Sequence, residues 1–549
     1  MRIFAIGLVL SGILLGQDAV DYNMVTRIRQ EAFHHSQVME ILGELTDGIG
    51  PRLTNSPAAR EANKWSEAKF KEWGLDARLE SWGPFGRGWT LKHSEMEMTE
   101  PRILPLLALP KAWSDGTQGP IEGEAMMIKI EDESDFEKYA GKLSGKILFL
   151  SENKPLEVSE KPDFKRYDEE ELDEMCGYDM PSERSGRGGI MRWFKRSQFA
   201  DQRAAFLAQE GVLATVEVSS FKHGVIRVMG TSGYEKEKGG GPVQMVMALE
   251  HYNAIARYLE NKEKVTLKLD VQVAFDEEDP MGYNTIGEIP GTGKNKKEIV
   301  MAGAHMDSWH AGTGTLDNGT GVAVVMEAAR ILKTLGIQPN RTIRFGLWTG
   351  EEQGLLGSKG YVKEHFVDLK APDHPAMAMV PERWRDYLSS PTPKKEHEQF
   401  SVYFNMDNGG GRFRGIYCQE NAAAVPIFKS WLAPFEDLGA DRVTMNNTGS
   451  TDHISFDSAG LPGFQFIQDP LSYFTRNHHS NLDTLDHAQA DDLKQAAAIM
   501  ATFLYQASQR PGLFPRKPMP EKEDQTEMLD KLMPKKSEAA ATTAPTPNP

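Results

Sequence analysis

From Tyr283 to Ser508 the chain repeats one pattern: a short apolar run, a loop, then a longer amphipathic run. "EIVMAGA" precedes "GTGVAVVMEAARILKTLG", and "RTIRFGLWT" precedes "QGLLGSKGYVKEHF". "FSVYFNM" precedes "AAAVPIFKSWLAPFEDLG", and "LPGFQFI" precedes "ADDLKQAAAIMATFLYQAS". The short runs read as buried strands and the longer ones, with apolar residues three and four apart, as helices. Strands that alternate with helices of this length predict an α/β fold: a doubly wound, mainly parallel sheet. Sites in such sheets form at the carboxyl ends of the strands.

Metal-ligand residue types stand at each of those ends. His305, Asp307 and then Asp317 follow the first strand, Glu351 and Glu352 the second, and Asp407 the third. The loop after the last strand holds His478, His479 and Asp483. Singly, each has an ordinary explanation: a structural histidine, a solvated glutamate pair, a turn at a helix start. Together, at one sheet edge, they predict a metal site. Histidines and carboxylates without sulfur suit zinc, and also cobalt or manganese. Two ions need a shared carboxylate, and Asp317, in a loop before a helix, is the candidate bridge. His305 and Asp407 are assigned to one ion, His479 and Glu352 to the other. Glu351, beside a ligand but not itself one, is the candidate general base for a metal-activated water. Asp307 lies two residues from His305 on the same strand face and is expected to orient its imidazole. Asp483 is a candidate for the same role toward His479, with helix entry as the alternative.

The 549 residues exceed one ordinary core, and two domains are expected. Residues 1–17, with an apolar run from Ile3 to Leu15 after one arginine, read as a signal peptide; a buried N-terminal helix is the alternative. Residues 18–104 are expected to begin the catalytic domain. There "SPAAREANKWSEAKFKEWGL" carries a helix with Ser56 as its N-cap and Gly74 at its end. From 105 to 275, short strands such as "GKILFL", "VQMVMAL" and "VTLKLDVQV" predict a smaller β-rich insert, with one helix in "FADQRAAFLAQEG". The charges between Lys161 and Arg196 read as solvated surface. Residues 276–511 complete the catalytic domain, and 512–549, ending in "EAAATTAPTPNP", read as a disordered tail. Cys176 and Cys418 are too few for a disulfide framework or a thiolate cluster, and read as separate small residues, with pairing in an oxidising compartment as the alternative. The net charge of −17 argues against binding nucleic acid through its backbone.

The segments "GAHMDSW", "LDNGTG", "LWTGEEQGLLGS", "NMD", "GSTDHISF" and "HHSNLDT" resemble the M28 family of zinc aminopeptidases and related peptidases, nearest its carboxypeptidase Q-like branch. The resemblance extends from about Met24 to Gln509. It implies the zinc-exopeptidase fold, with His305, Asp317, Glu352, Asp407 and His479 holding two Zn2+, Glu351 as base and Asp307 as supporting acid. It favours His479 over His478 because the family's ligand stands four residues before the acid, here Asp483. The β-rich stretch is similar to the protease-associated domain inserted in such enzymes. The segment from Val367 to Gln399 is longer than the family leads one to expect, and is either a pocket rim or a surface loop. Asp452 and His453 either line the substrate pocket or serve as helix cap and structural histidine. The implied activity is exopeptidase cleavage of peptides or dipeptides by a secreted or periplasmic enzyme. No stable membrane span is expected after signal removal, and a homo-oligomer is compatible with the sequence. Two alternatives share the fold: a one-metal glutaminyl cyclase-like acyltransferase and a non-catalytic receptor-like binding protein.

Overall fold

The computed structural model describes residues 19–178, 187–380, 385–386, 388–520 and 526–530. The expected signal peptide lies outside the described residues, as do 521–525 and 531–549 of the expected tail.

Two eight-stranded sheets organise the chain. The strands Thr342–Trp348, Ile299–His305, Phe400–Asn405 and Gly463–Gln468 lie side by side in that order and are mutually parallel. Antiparallel pairings flank this centre on both sides: Met281–Ile289 against Thr342–Trp348, and Phe413–Tyr417 against Gly463–Gln468. The sheet is therefore mixed, with a parallel heart. Every residue of Ile299–His305 is buried, and its neighbours alternate between two cores. Val300, Ala302 and Ala304 join the core built on helices Thr320–Thr334 and Ala490–Gln509. Ile299 and Met301 join the other, with Tyr361, Val362 and Phe456. Burial on both faces explains why these strands read as continuous apolar runs rather than alternating ones. Residues 320–332 of the first helix are all buried, and the two charges among them, Glu327 and Arg330, pair with each other at 2.7 Å.

The expected N-terminal helix is Pro57–Glu72, and the Ser56 hydroxyl accepts the Ala59 amide at 3.1 Å as its cap.

The second sheet begins earlier than residue 105. Gly88–Glu100 pairs antiparallel with Thr266–Asp276, so the run "WTLKHSEMEM" belongs to this lobe. Its alternating pattern marks a strand but carries no label for which sheet the strand will join. The helix expected in "FADQRAAFLAQEG" is longer, Arg187–Gln209.

Two further expectations are corrected. The charged stretch after Lys161 is not simply solvated: residues 163–177 lie across the catalytic domain. Arg166 pairs with the buried Asp469 at 2.9 Å and Asp492 at 2.7 Å, while Asp163 pairs with Arg476 and Glu169 with Arg442. The tail is likewise anchored where it starts. Phe514 is 2% exposed, with Phe428, Trp431 and Phe464 around it, and Arg516 donates to the carbonyls of His397 and Phe400. Cys176 and Cys418 are free thiols, half-buried and buried respectively. The long segment after Val367 forms an antiparallel hairpin, Val367–Lys370 with Ser390–Pro393.

Candidate metal centre

The parallel register levels the strand ends. His305 pairs with Trp348 and Gly303 with Asn405, so the residues that follow each strand emerge together. Asp317 comes from the turn Thr315–Gly319, which enters the buried helix, and its peptide bond to Asn318 is cis.

The side chains converge on Asp317. His305 Nε2 lies 3.3 Å from its Oδ1 and 3.4 Å from Asp407 Oδ1. His479 Nε2 lies 3.2 Å from its Oδ2 and 3.0 Å from Glu352 Oε2. One carboxylate thus faces two histidines, each with its own second acid. His478 is farther, 3.8 Å from Asp317, and its ring lies against His479 with centroids 3.8 Å apart.

The supporting residues depart from expectation in an instructive way. His305 Nδ1 lies 3.0 Å from the main-chain carbonyl of Asp307 and 3.7 Å from its carboxylate, so the backbone oxygen orients the ring. The Asp307 carboxylate instead accepts the Thr54 hydroxyl at 2.8 Å and the amides of Glu351 and Glu352 at 3.3 Å each. It ties the turn that carries both glutamates to the end of the neighbouring strand. Asp483 does not reach His479: it accepts the amides of Leu316 at 2.6 Å and Asp317 at 3.2 Å, holding the turn of the bridging residue. The outer nitrogen of His479, Nδ1, faces Arg227 of the second lobe at 3.4 Å. Asp452 and His453 are fully buried at the start of a short helix, His453–Asp457, and His453 Nε2 bonds the Thr448 carbonyl at 3.1 Å.

Arg52 and Trp309 escaped the reading of the sequence. Arg52 is fully buried and donates to the carbonyls of Met306, Gly50, Thr313 and Gly314 at 2.7–2.9 Å. It clamps the loop between His305 and Asp317. Its only local mark is a lone arginine in "GIGPRLTNS", where a surface arginine looks the same. Trp309 donates its indole N–H to Glu352 Oε2 at 2.7 Å; it closes the "GAHMDSW" motif, and that motif was the available signal.

Electrostatics match a cation site. Burial pushes Glu352 up to about 7 and Asp452 up to about 7, and raises Glu351 well above the usual carboxylate range, with Asp407 and Asp452 adding to it. Burial alone would lower His479, yet Glu352 and Asp317 overcome it and lift the ring to about 10. Asp317 resists its own burial and stays well below the ordinary range because both histidines face it. His305 Nε2, Asp317 Oδ2 and Glu352 Oε1 are buried without a hydrogen-bond partner. Buried polar atoms are almost always partnered, so three orphans at one point mark a place for an ion. The ligand atoms of His305, Asp317 and Asp407 lie within 4.8 Å of one another, as do those of Asp317, His478 and His479. Nitrogen and oxygen donors without sulfur fit zinc and its divalent neighbours.

Comparison with known proteins agrees with this chemistry. The model of Peptidase family M28 matches residues 284–504. Carboxypeptidase Q of Mus musculus is 26% identical over 492 residues, 88% of each chain. Among solved structures, the peptidase M28 precursor of Shewanella amazonensis SB2B is 25% identical with a TM-score of 0.63, over 91% of this chain and 99% of that one. BSAP, a zinc aminopeptidase from Bacillus subtilis, shares the fold with a TM-score of 0.52 at 20% identity, over 86% of this chain and 95% of that one.

Proposed function

We propose that this chain, a member of peptidase family M28 and a metallopeptidase of that type, is a secreted two-metal exopeptidase acting on short peptides with a free amino terminus. The observation that carries the two-metal reading is Asp317, which contacts His305 with one oxygen and His479 with the other. His305 and Asp407 would hold one Zn2+, His479 and Glu352 the other, with Asp317 between them. The N-terminal apolar run from Ile3 to Leu15 supports secretion.

When bound, the pair of ions would lower the pKa of a shared water from ~16 toward ~7 and polarise the peptide carbonyl. The residues of the chain do the rest. Glu351 takes the proton of the attacking water and returns it to the leaving amine, a transfer helped by the burial that raises its affinity for protons. Asp307 fixes the turn of Glu351 and Glu352 through their amides. Trp309 holds one oxygen of Glu352 and leaves the other without a protein partner. Asp483 and Arg52 keep the Asp317 loop in place. The second lobe narrows the approach: Val228 donates its amide to the His479 carbonyl at 3.0 Å, and Asn481 to that of Ile226 at 3.1 Å. A metal edge covered in this way suits short substrates.

The test is metal analysis of the purified full chain, with a screen of aminoacyl-chromophores, free dipeptides and N-blocked peptides before and after chelation. The expected result is two ions per chain and chelator-sensitive release from unblocked substrates only. One ion per chain with cyclisation of N-terminal glutamine would point to the cyclase chemistry instead. Cleavage of N-blocked peptides would end the exopeptidase reading.

A further inference from the structure

A cavity of about 280 Å³ lies between helix Leu356–His365, the hairpin of Val367–Lys370 with Ser390–Pro393, and the short helix His453–Asp457. None of the metal-centre residues lines it. Leu355, Val362, Val367, Leu369 and Ile454 make its walls apolar. Lys359 and Lys363, one turn apart on the first helix, reach the same space and are set against a single acid, Asp386. Lys363 holds Asp386 at 3.2 Å, with half of its own side chain exposed, so this pair sits at the rim. The wall thus carries one more positive than negative group, in a chain whose net charge is −17. Burial brings Lys359 down to about 7, against the pull of Asp386, Glu351 and Asp452. An anion beside it would relieve that cost.

The cavity is tied to the metal edge through one turn. The amides of Gly354 and Leu355 both donate to the Glu351 carbonyl, at 2.8 and 2.9 Å. Lys359 Nζ in turn donates to the Gly354 carbonyl at 2.9 Å. Leu355 enters the helix at φ +60°, a left-handed conformation that leucine adopts only when its surroundings impose it. Glu351 therefore stands at one end of this turn and the cavity at the other. Apolar concavities with one or two placed polar groups are what ligand pockets look like.

We propose that this cavity is an effector site for a small apolar monocarboxylate of about six carbons, the size set by room for roughly nine water-sized groups, and that its occupation slows the chemistry at Glu351. The carboxylate meets Lys359, and the hydrocarbon chain lies among Leu355, Val362, Val367, Leu369 and Ile454. One cation suits one negative charge on an apolar body; a phosphate would bring oxygens that these walls leave without donors. A carboxylate at Lys359 draws the ammonium from the Gly354 carbonyl and leaves the Glu351 turn one hydrogen bond short. Occupation of the cavity is independent of the peptidase reading, whereas the effect on turnover rests on it.

The experiment is calorimetric titration of the zinc-loaded full chain with hexanoate, hexylamine and L-leucine. Hexanoate should bind at least about tenfold more tightly than hexylamine, which brings the same chain with the opposite charge. Lys359→Met, which keeps the length of the side chain, should weaken hexanoate at least about tenfold. Failure of hexanoate to bind overturns the proposal, and so does equal affinity for hexylamine. Binding that Lys359→Met leaves intact also overturns it, because the carboxylate would then sit at the metal edge. L-Leucine binding more tightly than hexanoate, and lost in Lys359→Met, would make the ligand a zwitterion and end the monocarboxylate assignment. If that variant fails to fold, wild-type kinetics decide. Saturating hexanoate should lower kcat at least about fivefold with KM unchanged. A rise in KM alone, the mark of competition at the metal edge, overturns the effector site. A chain without peptidase activity on any substrate breaks the peptidase reading, and calorimetry still judges the cavity.

Discussion

The metal edge and the seam with the second lobe meet at Glu352 and His479 but are assembled by different means. At the edge, most of the converging groups stand within a few residues of a strand end, and parallel pairing brings those ends level. At the seam, the rings come from three separate stretches of sequence. Trp113, Gly230, Tyr234 and Trp309 are gathered from stretches up to about 200 residues apart, and Arg227 reaches the outer side of a ring whose inner side faces Asp317. The edge positions reacting groups by local geometry. The seam docks a second lobe against that edge through contacts between distant segments. The two can therefore be perturbed separately.

Glu351→Gln puts the largest strain on that separation. It should lower kcat by about 10²–10⁴-fold while metal binding and KM are little changed. Steady-state kinetics with metal analysis would show this, and an undiminished kcat would mean the base lies elsewhere. Arg52→Met attacks the edge through its scaffold. The carbonyls of Met306, Gly50 and Thr313 lose this donor while Gly314 keeps the Gly319 amide, and stability should fall by ~3–5 kcal/mol together with metal retention. Denaturant unfolding with and without zinc measures both; a loss under 1 kcal/mol would show that the loop holds itself.

The seam should respond to acid. His310 donates to the Pro110 carbonyl at 2.8 Å and meets Trp89 edge-on, with Nδ1 buried and unpartnered. Burial lowers it to about 4. The fold thus favours the neutral ring over the unfolded chain, where an ordinary pKa of ~6.5 applies. Its contribution is complete above ~6.5 and is lost as pH falls through about 4, by ~1–3 kcal/mol. His310→Gln keeps a donor and should flatten that acid slope in unfolding measured between pH 7 and 4; an unaltered slope would assign it to other groups. Smallest is Arg166→Ala, which should loosen the strap at 163–177 by ~1–2 kcal/mol and quicken its cleavage in limited proteolysis. kcat should stay within about twofold, and a larger fall would tie the strap to the edge.

That His305, Asp317, Glu352, Asp407 and His479 would meet was legible because the signal is local: an apolar run ends and a ligand type begins. For Asp307 and Asp483 the spacing left the partner of each carboxylate undecided, for a related reason. Spacing suggested ring partners, but their oxygens take backbone amides, whose direction depends on how the turns fold. The charged run after Lys161 looked solvated because Asp469, Asp492, Arg442 and Arg476, which neutralise it, lie about 270 to 330 residues away. Phe514 looked like tail because a single aromatic among charges shows no period, yet Phe428 and Trp431 had left a place for it.

By itself, then, the sequence determined a doubly wound sheet and which ligand-type residues stand at its carboxyl edge, since hydrophobic period and strand-end position are written residue by residue. Tertiary structure decided which acid orients which group, how the charged strap is neutralised, and the aromatic seam beside Glu352. Those depend on contacts between distant segments, and such contacts leave no periodic trace in the chain that makes them.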